Sequence, residues 1–67
     1  MLVSRNVRVR GRRISVRLEQ EMWDALGEIC RMANRGMHEV CIHVAVARRP
    51  GGLTSSLRVF IMSYFRD

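Results

Sequence analysis

Lysine is absent from this chain, and so is any acidic residue before Glu19. All twelve basic residues are therefore arginines, and Arg5, Arg8, Arg10, Arg12, Arg13 and Arg17 precede the first acid. From Leu18 onward six arginines face Glu19, Glu21, Asp24, Glu28, Glu39 and Asp67, so the whole formal charge of +6 sits in the first seventeen residues. A one-signed segment on a balanced body is the electrostatic footprint of a polyanion-binding arm.

Long apolar runs are also missing. The longest, residues 40–47, is interrupted by His43 and is far too short to span a bilayer. The polar, arginine-rich start carries no apolar h-region, so no signal peptide is read and a cytoplasmic protein is expected. The two cysteines, Cys30 and Cys41, lie within apolar patterns, which reads as reduced core thiols and not a disulfide. Together with His38, Glu39 and His43 they match no zinc spacing, and alternate residues of a helix point apart, so neither metal nor cofactor is expected. No nucleophile stands with an identifiable base and orienting acid, no glycine loop resembles a phosphate cradle, and the chain is too short to enclose a pocket. An enzyme is not expected.

What is present begins with RRISVRLE, residues 12–19, which alternates strictly between apolar and polar side chains. In a strand Ile14, Val16 and Leu18 share one face, and Arg13, Ser15 and Arg17 the other. A lone strand cannot satisfy its backbone groups, and no second alternating run follows it, so its expected partner is the same strand of a second copy. Dimerisation also suits 67 residues, a length that buries only about 60% of the unfolded surface. Residues 1–10 read as a basic arm in which Val7 and Val9 interleave with Arg8 and Arg10. Their parity is odd where the later strand's is even, so the pleat is expected to break near Gly11. Either the arm is flexible and orders on phosphates, or Gly11-Arg12 forms a two-residue turn that pairs Val9 with Ile14 and Val7 with Val16.

Residues 19–35 carry apolar side chains at Met22, Trp23, Leu26, Ile29, Cys30 and Ala33, the spacing of a helix with one buried stripe. Acids crowd its first turns and Arg31 and Arg35 its end, complementing the helix dipole, and Gly36 is the expected left-handed stop. Gly27 in its middle would mark close packing. Residues 38–49 are apolar almost all round and rich in Val and Ile; helix is favoured over strand, since a new strand would have no partner. Residues 48–52, RRPGG, end it. A third helix is expected from Leu53, with Thr54 as N-cap and a stripe of Leu57, Phe60, Ile61, Tyr64 and Phe65.

Strand, helix, Gly, helix with a basic strand resembles the ribbon-helix-helix class of bacterial DNA-binding proteins, the group of the Arc and methionine repressors. More closely, SVRLEQEMWDALGEI, the turn at Arg35-Gly36 and LTSSLRVFIM look like a small bacterial ribbon-helix-helix domain family, over about residues 4–65. This chain departs from it in carrying Ile14 where a small polar residue is usual, and Ala45 and Ala47 near usual acids.

The resemblance implies a mainly α fold with one N-terminal strand and an extra C-terminal helix. It further implies an intertwined homodimer with one strand per subunit in an antiparallel ribbon. Residues 1–11 would be the basic arm and 12–67 the domain. The ribbon would lie in the major groove of double-stranded DNA with Arg13, Ser15 and Arg17 on base edges. Arg5, Arg8, Arg10 and Arg12 would hold phosphates. A further phosphate would sit on a helix N-terminus, either at Met37 and His38 or at residues 52–55. The expected function is that of a sequence-specific DNA-binding protein, a transcriptional repressor. The alternatives are an adaptor or antitoxin-like module docking a protein through its second and third helices, and an RNA-binding protein using the arm.

Overall fold

A computed structural model of the chain describes residues 1–47 and 52–66, as two strands followed by three helices. The strands are β1, Leu2–Val9, and β2, Arg12–Glu19; the helices are α1, Gln20–Ala33, α2, Met37–Val46, and α3, Gly52–Arg66. Arg48, Arg49, Pro50 and Gly51, the expected helix-ending linker, and Asp67 lie outside the described residues.

β1 and β2 form one antiparallel hairpin, in which Val3 faces Leu18, Arg5 faces Val16, Val7 faces Ile14 and Val9 faces Arg12. Odd positions of β1 thus stand opposite even positions of β2. The change of parity at Gly11 is the mark of a two-residue loop, not a broken pleat. Arg10 (φ 53°) and Gly11 (φ 76°) are both left-handed, the geometry whose twist matches that of the flanking strands.

Two expectations are corrected here. The strand opposite β2 is β1 of its own chain, the hairpin that stood as the alternative to a flexible arm and to the favoured pairing with the same strand of a second copy, so each chain has two strands and residues 2–9 are not a free arm. The turn is Arg10-Gly11, where Gly11-Arg12 was expected. The observed register carries the pairing through to Leu2 and Glu19 and adds Val3 to the apolar row.

That inner row meets the helices. Val7, Val9, Val16 and Leu18 pack with Trp23, Leu26, Ile29 and Cys30 of α1, Val40, Cys41 and Val44 of α2, and Leu57 and Ile61 of α3. Trp23 also fastens α1 to the hairpin, since its indole Nε1–H donates to the Val3 carbonyl at 2.8 Å. The indole reads as core, as its helical spacing implies. Leu26 is fully buried, so its truncation to Ala would cost about 2–5 kcal/mol.

α1 ends earlier than expected and by a different residue. Asn34 takes the left-handed conformation (φ 55°), and the Arg35 amide donates back to the Cys30 carbonyl at 2.9 Å, the six-to-one bond of a Schellman ending. Gly36, with an ordinary φ of −74°, instead precedes α2. Asn can adopt the left-handed well because its short polar side chain bonds locally. Gly27 is the other correction: a Cβ there would meet nothing within 4 Å, so no close packing requires it.

Residues 37–46 are helix and not strand, packed chiefly on β1. α3 starts at Gly52, which puts Thr54 inside the first turn instead of at the cap. Of its expected stripe Leu57 and Ile61 are buried and Phe60 partly so, while Tyr64 and Phe65 are exposed. Among the described residues no helix is long and apolar enough to cross a membrane.

Candidate nucleic-acid interface

The pleat of the hairpin sorts the basic residues into two faces. On the outer face Ser4 stands opposite Arg17, Asn6 opposite Ser15 and Arg8 opposite Arg13, and all six side chains are exposed. The expected readers Arg13, Ser15 and Arg17 are therefore brought together, and β1 adds three polar neighbours to them. Ser4 and Ser15 hydroxyls lie 3.0 Å apart, a bond along the ribbon surface. Arg10 is exposed at the turn that closes it.

Arg5 and Arg12 are on the other face. The Arg5 guanidinium sits 5.5 Å from the centre of the Trp23 ring, a cation–π contact that turns it toward α1. Arg12 stands opposite Val9 and lines a groove with Ile14, Val44 and Leu53. Of the four expected phosphate arginines, only Arg8 and Arg10 border the outer face. Ser4 and Asn6 escaped the sequence reading because neither belongs to an alternating basic run; only the register reveals them.

At the helix N-terminus after the turn, two side chains of α2 bond backbone amides. Glu39 Oε1 accepts the Gly36 amide at 3.2 Å, a carboxylate closing back on the residue that precedes the helix. His38 Nδ1 accepts the Arg8 backbone N–H at 3.0 Å, which shields part of the β1 edge and joins α2 to the ribbon. Met37 is partly buried against the core. Met37 and His38 thus stand at the start of α2 beside β1.

The acid nearest the outer face is Glu19, opposite Leu2 at its helix end. Arg58 Nη1 approaches Glu19 Oε1 to 2.8 Å, so this charge is paired with α3. A hydrogen bond with its own backbone, and then Arg58, hold the Glu19 carboxyl below the usual range. Both cysteines are free and buried, and burial raises both thiols, Cys41 to about 11 with help from neighbouring Cys30. Neither lies near the outer face. Among the described residues no three His, Cys, Asp or Glu side chains converge as metal ligands would.

An outward basic ribbon fastened by an apolar inner row to helices joined by a tight turn is the architecture described above. A family model for the ribbon-helix-helix domain matches residues 2–65. The chain belongs to this family. Ribbon-helix-helix domains generally bind DNA, as regulators of transcription or as antitoxins, and generally form dimers. No curated protein and no solved structure matches the chain. Within the family's plan, this ribbon-helix-helix chain supplies both strands of a ribbon itself and adds α3.

Proposed function

We propose that this chain is a sequence-specific double-stranded DNA-binding protein of the cytoplasm, acting as a transcriptional repressor through the outer face of the β1–β2 hairpin. The observation that carries the reading is that Arg8, Arg13 and Arg17 point outward together with Ser15, and the one acid at the end of that face is paired with Arg58. Two strands about 4.8 Å apart fit a major groove about 12 Å wide, and an arginine can take both acceptors of guanine. The deep, narrow major groove of A-form RNA would not admit the same ribbon. Arg13, Ser15 and Arg17 are the proposed base contacts; Arg8 and Arg10 are the proposed phosphate contacts. Homodimerisation belongs to the proposal, supported by the family's habit and by Val46, Met62 and Phe65, which remain exposed on α2 and α3.

The same exposed side chains favour a second reading, an adaptor or antitoxin-like module that docks a protein partner. Salt separates the two. On random duplex, where no base is read, all four arginines on and beside the outer face meet phosphate, which predicts a log–log salt slope of about −3 to −4 per chain. Affinity for random duplex should therefore collapse between low and moderate salt, with a further drop for Arg13→Ala and Arg17→Ala. Absence of duplex binding at low salt would leave the docking module as the better account, because apolar burial is little disturbed by salt.

A further inference from the structure

The groove that Arg12 lines lies off the outer face of the hairpin. It opens between the turn end of the hairpin, the C-terminal half of α2 and the first turn of α3, with a volume of about 860 Å³. Val9, Ile14, Val44 and Leu53 line it with aliphatic surface, and Arg10 and Arg12 border it from the hairpin. We propose that this groove is a binding site for a free acyl carboxylate, a medium-length fatty acid, whose chain lies on the aliphatic side chains and whose carboxylate pairs with Arg12 and Arg10.

Three observations carry it. The first is charge. No Asp or Glu lines the groove, and none occurs in residues 7–14, in α2 after Glu39 or anywhere in α3. Among the described residues the one ion pair joins Arg58 to Glu19, at the far end of the hairpin from the turn, so Arg10 and Arg12 have no carboxylate partner. Two guanidinium groups in one groove offer a carboxylate several charge-assisted N–H donors. The second is the character of the walls. Val9 and Val44 are buried, Ile14 and Leu53 are half-buried, and no aromatic ring lines the groove. A flexible hydrocarbon chain packs against such walls, whereas a flat ligand would find no ring to stack on. The volume falls within the range of about 300–1,000 Å³ usual for small-molecule sites. The third is placement. Arg10, with φ 53°, stands in the turn where the groove and the outer face meet, and it is also a proposed phosphate contact. One guanidinium cannot serve both anions fully, so an acyl carboxylate in the groove weakens duplex binding, and by linkage duplex weakens the binding of the acid. That consequence rests on the DNA-binding reading above; the binding of the acid does not.

Calorimetric titration of the full chain with decanoate, kept below the concentration at which the acid forms micelles, tests the site. The expected result is one decanoate per chain. Decanol, which lacks the charge, and propionate, which lacks the chain, should each bind at least about 10-fold more weakly. Octanoate should bind up to about 15-fold more weakly than decanoate, since each buried methylene contributes about a factor of four. Arg12→Gln, at an exposed position, should lower decanoate affinity by about 10-fold or more and leave that of decanol unchanged. Ala45→Glu sets an acid in the groove and should abolish decanoate binding, with circular dichroism confirming that both variants are folded. Equal binding of decanoate and decanol, or decanoate binding that ignores both substitutions, would overturn the site. So would a chain that sediments with anionic phospholipid vesicles yet takes up no free decanoate, or one whose self-association excludes the acid; the occupant would then be a lipid surface or a second copy. If decanoate binds as expected but leaves duplex affinity unchanged at saturation, the ligand site stands and its regulatory role falls. If the chain binds no duplex, the DNA-binding reading falls and the decanoate titration still decides the site.

Discussion

Arg8 and Arg13 face each other directly across the outer surface of the hairpin, two like charges on neighbouring strands. Like charges placed opposite destabilise a strand pair by roughly 0.2–1 kcal/mol, so the free protein carries a cost that a bound anion would remove. Replacing Arg8 with Glu converts repulsion into a cross-strand ion pair. Thermal melting should rise by a few degrees while affinity for every duplex sequence falls, and a variant that lost stability and affinity together would contradict this.

Arg5 gives the complementary expectation. Its guanidinium is on the inner side over Trp23, so Arg5→Ala should alter the indole fluorescence and cost about 0.5–1 kcal/mol in stability. Duplex affinity at fixed salt should change much less than with Arg17→Ala, for which a loss of about 1–3 kcal/mol on the preferred site is expected. Parallel titrations of the two variants measure the difference. Equal losses would mean that the pleat does not sort the arginines by role.

Helix α1 contains a site of straightforward stabilisation. Nothing within 4 Å would meet a methyl at Gly27, and Ala loses less conformational entropy than Gly on entering a helix. Gly27→Ala should raise unfolding free energy by about 0.5–1 kcal/mol in a denaturant titration, with no effect on DNA affinity.

Alkaline pH should weaken the fold through Cys41. Its thiol is raised from 9.0 to about 11 in the folded chain, so the native state holds its proton more tightly than the unfolded state does. The associated stability is complete below pH 9 and drains away as pH climbs from 9 toward 11. Replacing Cys41 with Ala should flatten that part of the stability profile, although it lowers the whole curve by creating a small cavity. Equilibrium unfolding at pH 8, 9 and 10 for both chains reads the slope.

Much of this architecture was legible in the amino-acid sequence because its signals are local. The alternation of residues 12–19 and the stripe from Met22 to Ala33 each repeat several times, and the helix assignments follow. Arg10-Gly11 was harder to read as a turn. An arginine with positive φ is uncommon, and the usual Asn-Gly or Asp-Gly signature of this loop is absent. The hairpin between β1 and β2 stood among the alternatives with its turn one residue too late, so each cross-strand pair was displaced by two positions along β2. Gly36 misled for a related reason: a glycine signals left-handed backbone by composition, yet Asn34 provides it two residues earlier. The placement of Arg5 depended on which strand face meets Trp23, a relation across twenty positions that no local pattern encodes.

Both strands of the ribbon come from the first nineteen residues, joined by a two-residue loop. Closing such a loop is an encounter within one molecule, and isolated hairpins form in roughly 1–10 μs. A lone two-stranded hairpin is marginal in water, so the ribbon has to wait for Trp23 and His38 to dock, but it does not have to wait for another polypeptide. Formation of the hairpin's outer basic face is then a first-order process with a rate independent of protein concentration. A chain built this way would complete its basic face as soon as it leaves the ribosome, even when a cell holds only a few copies.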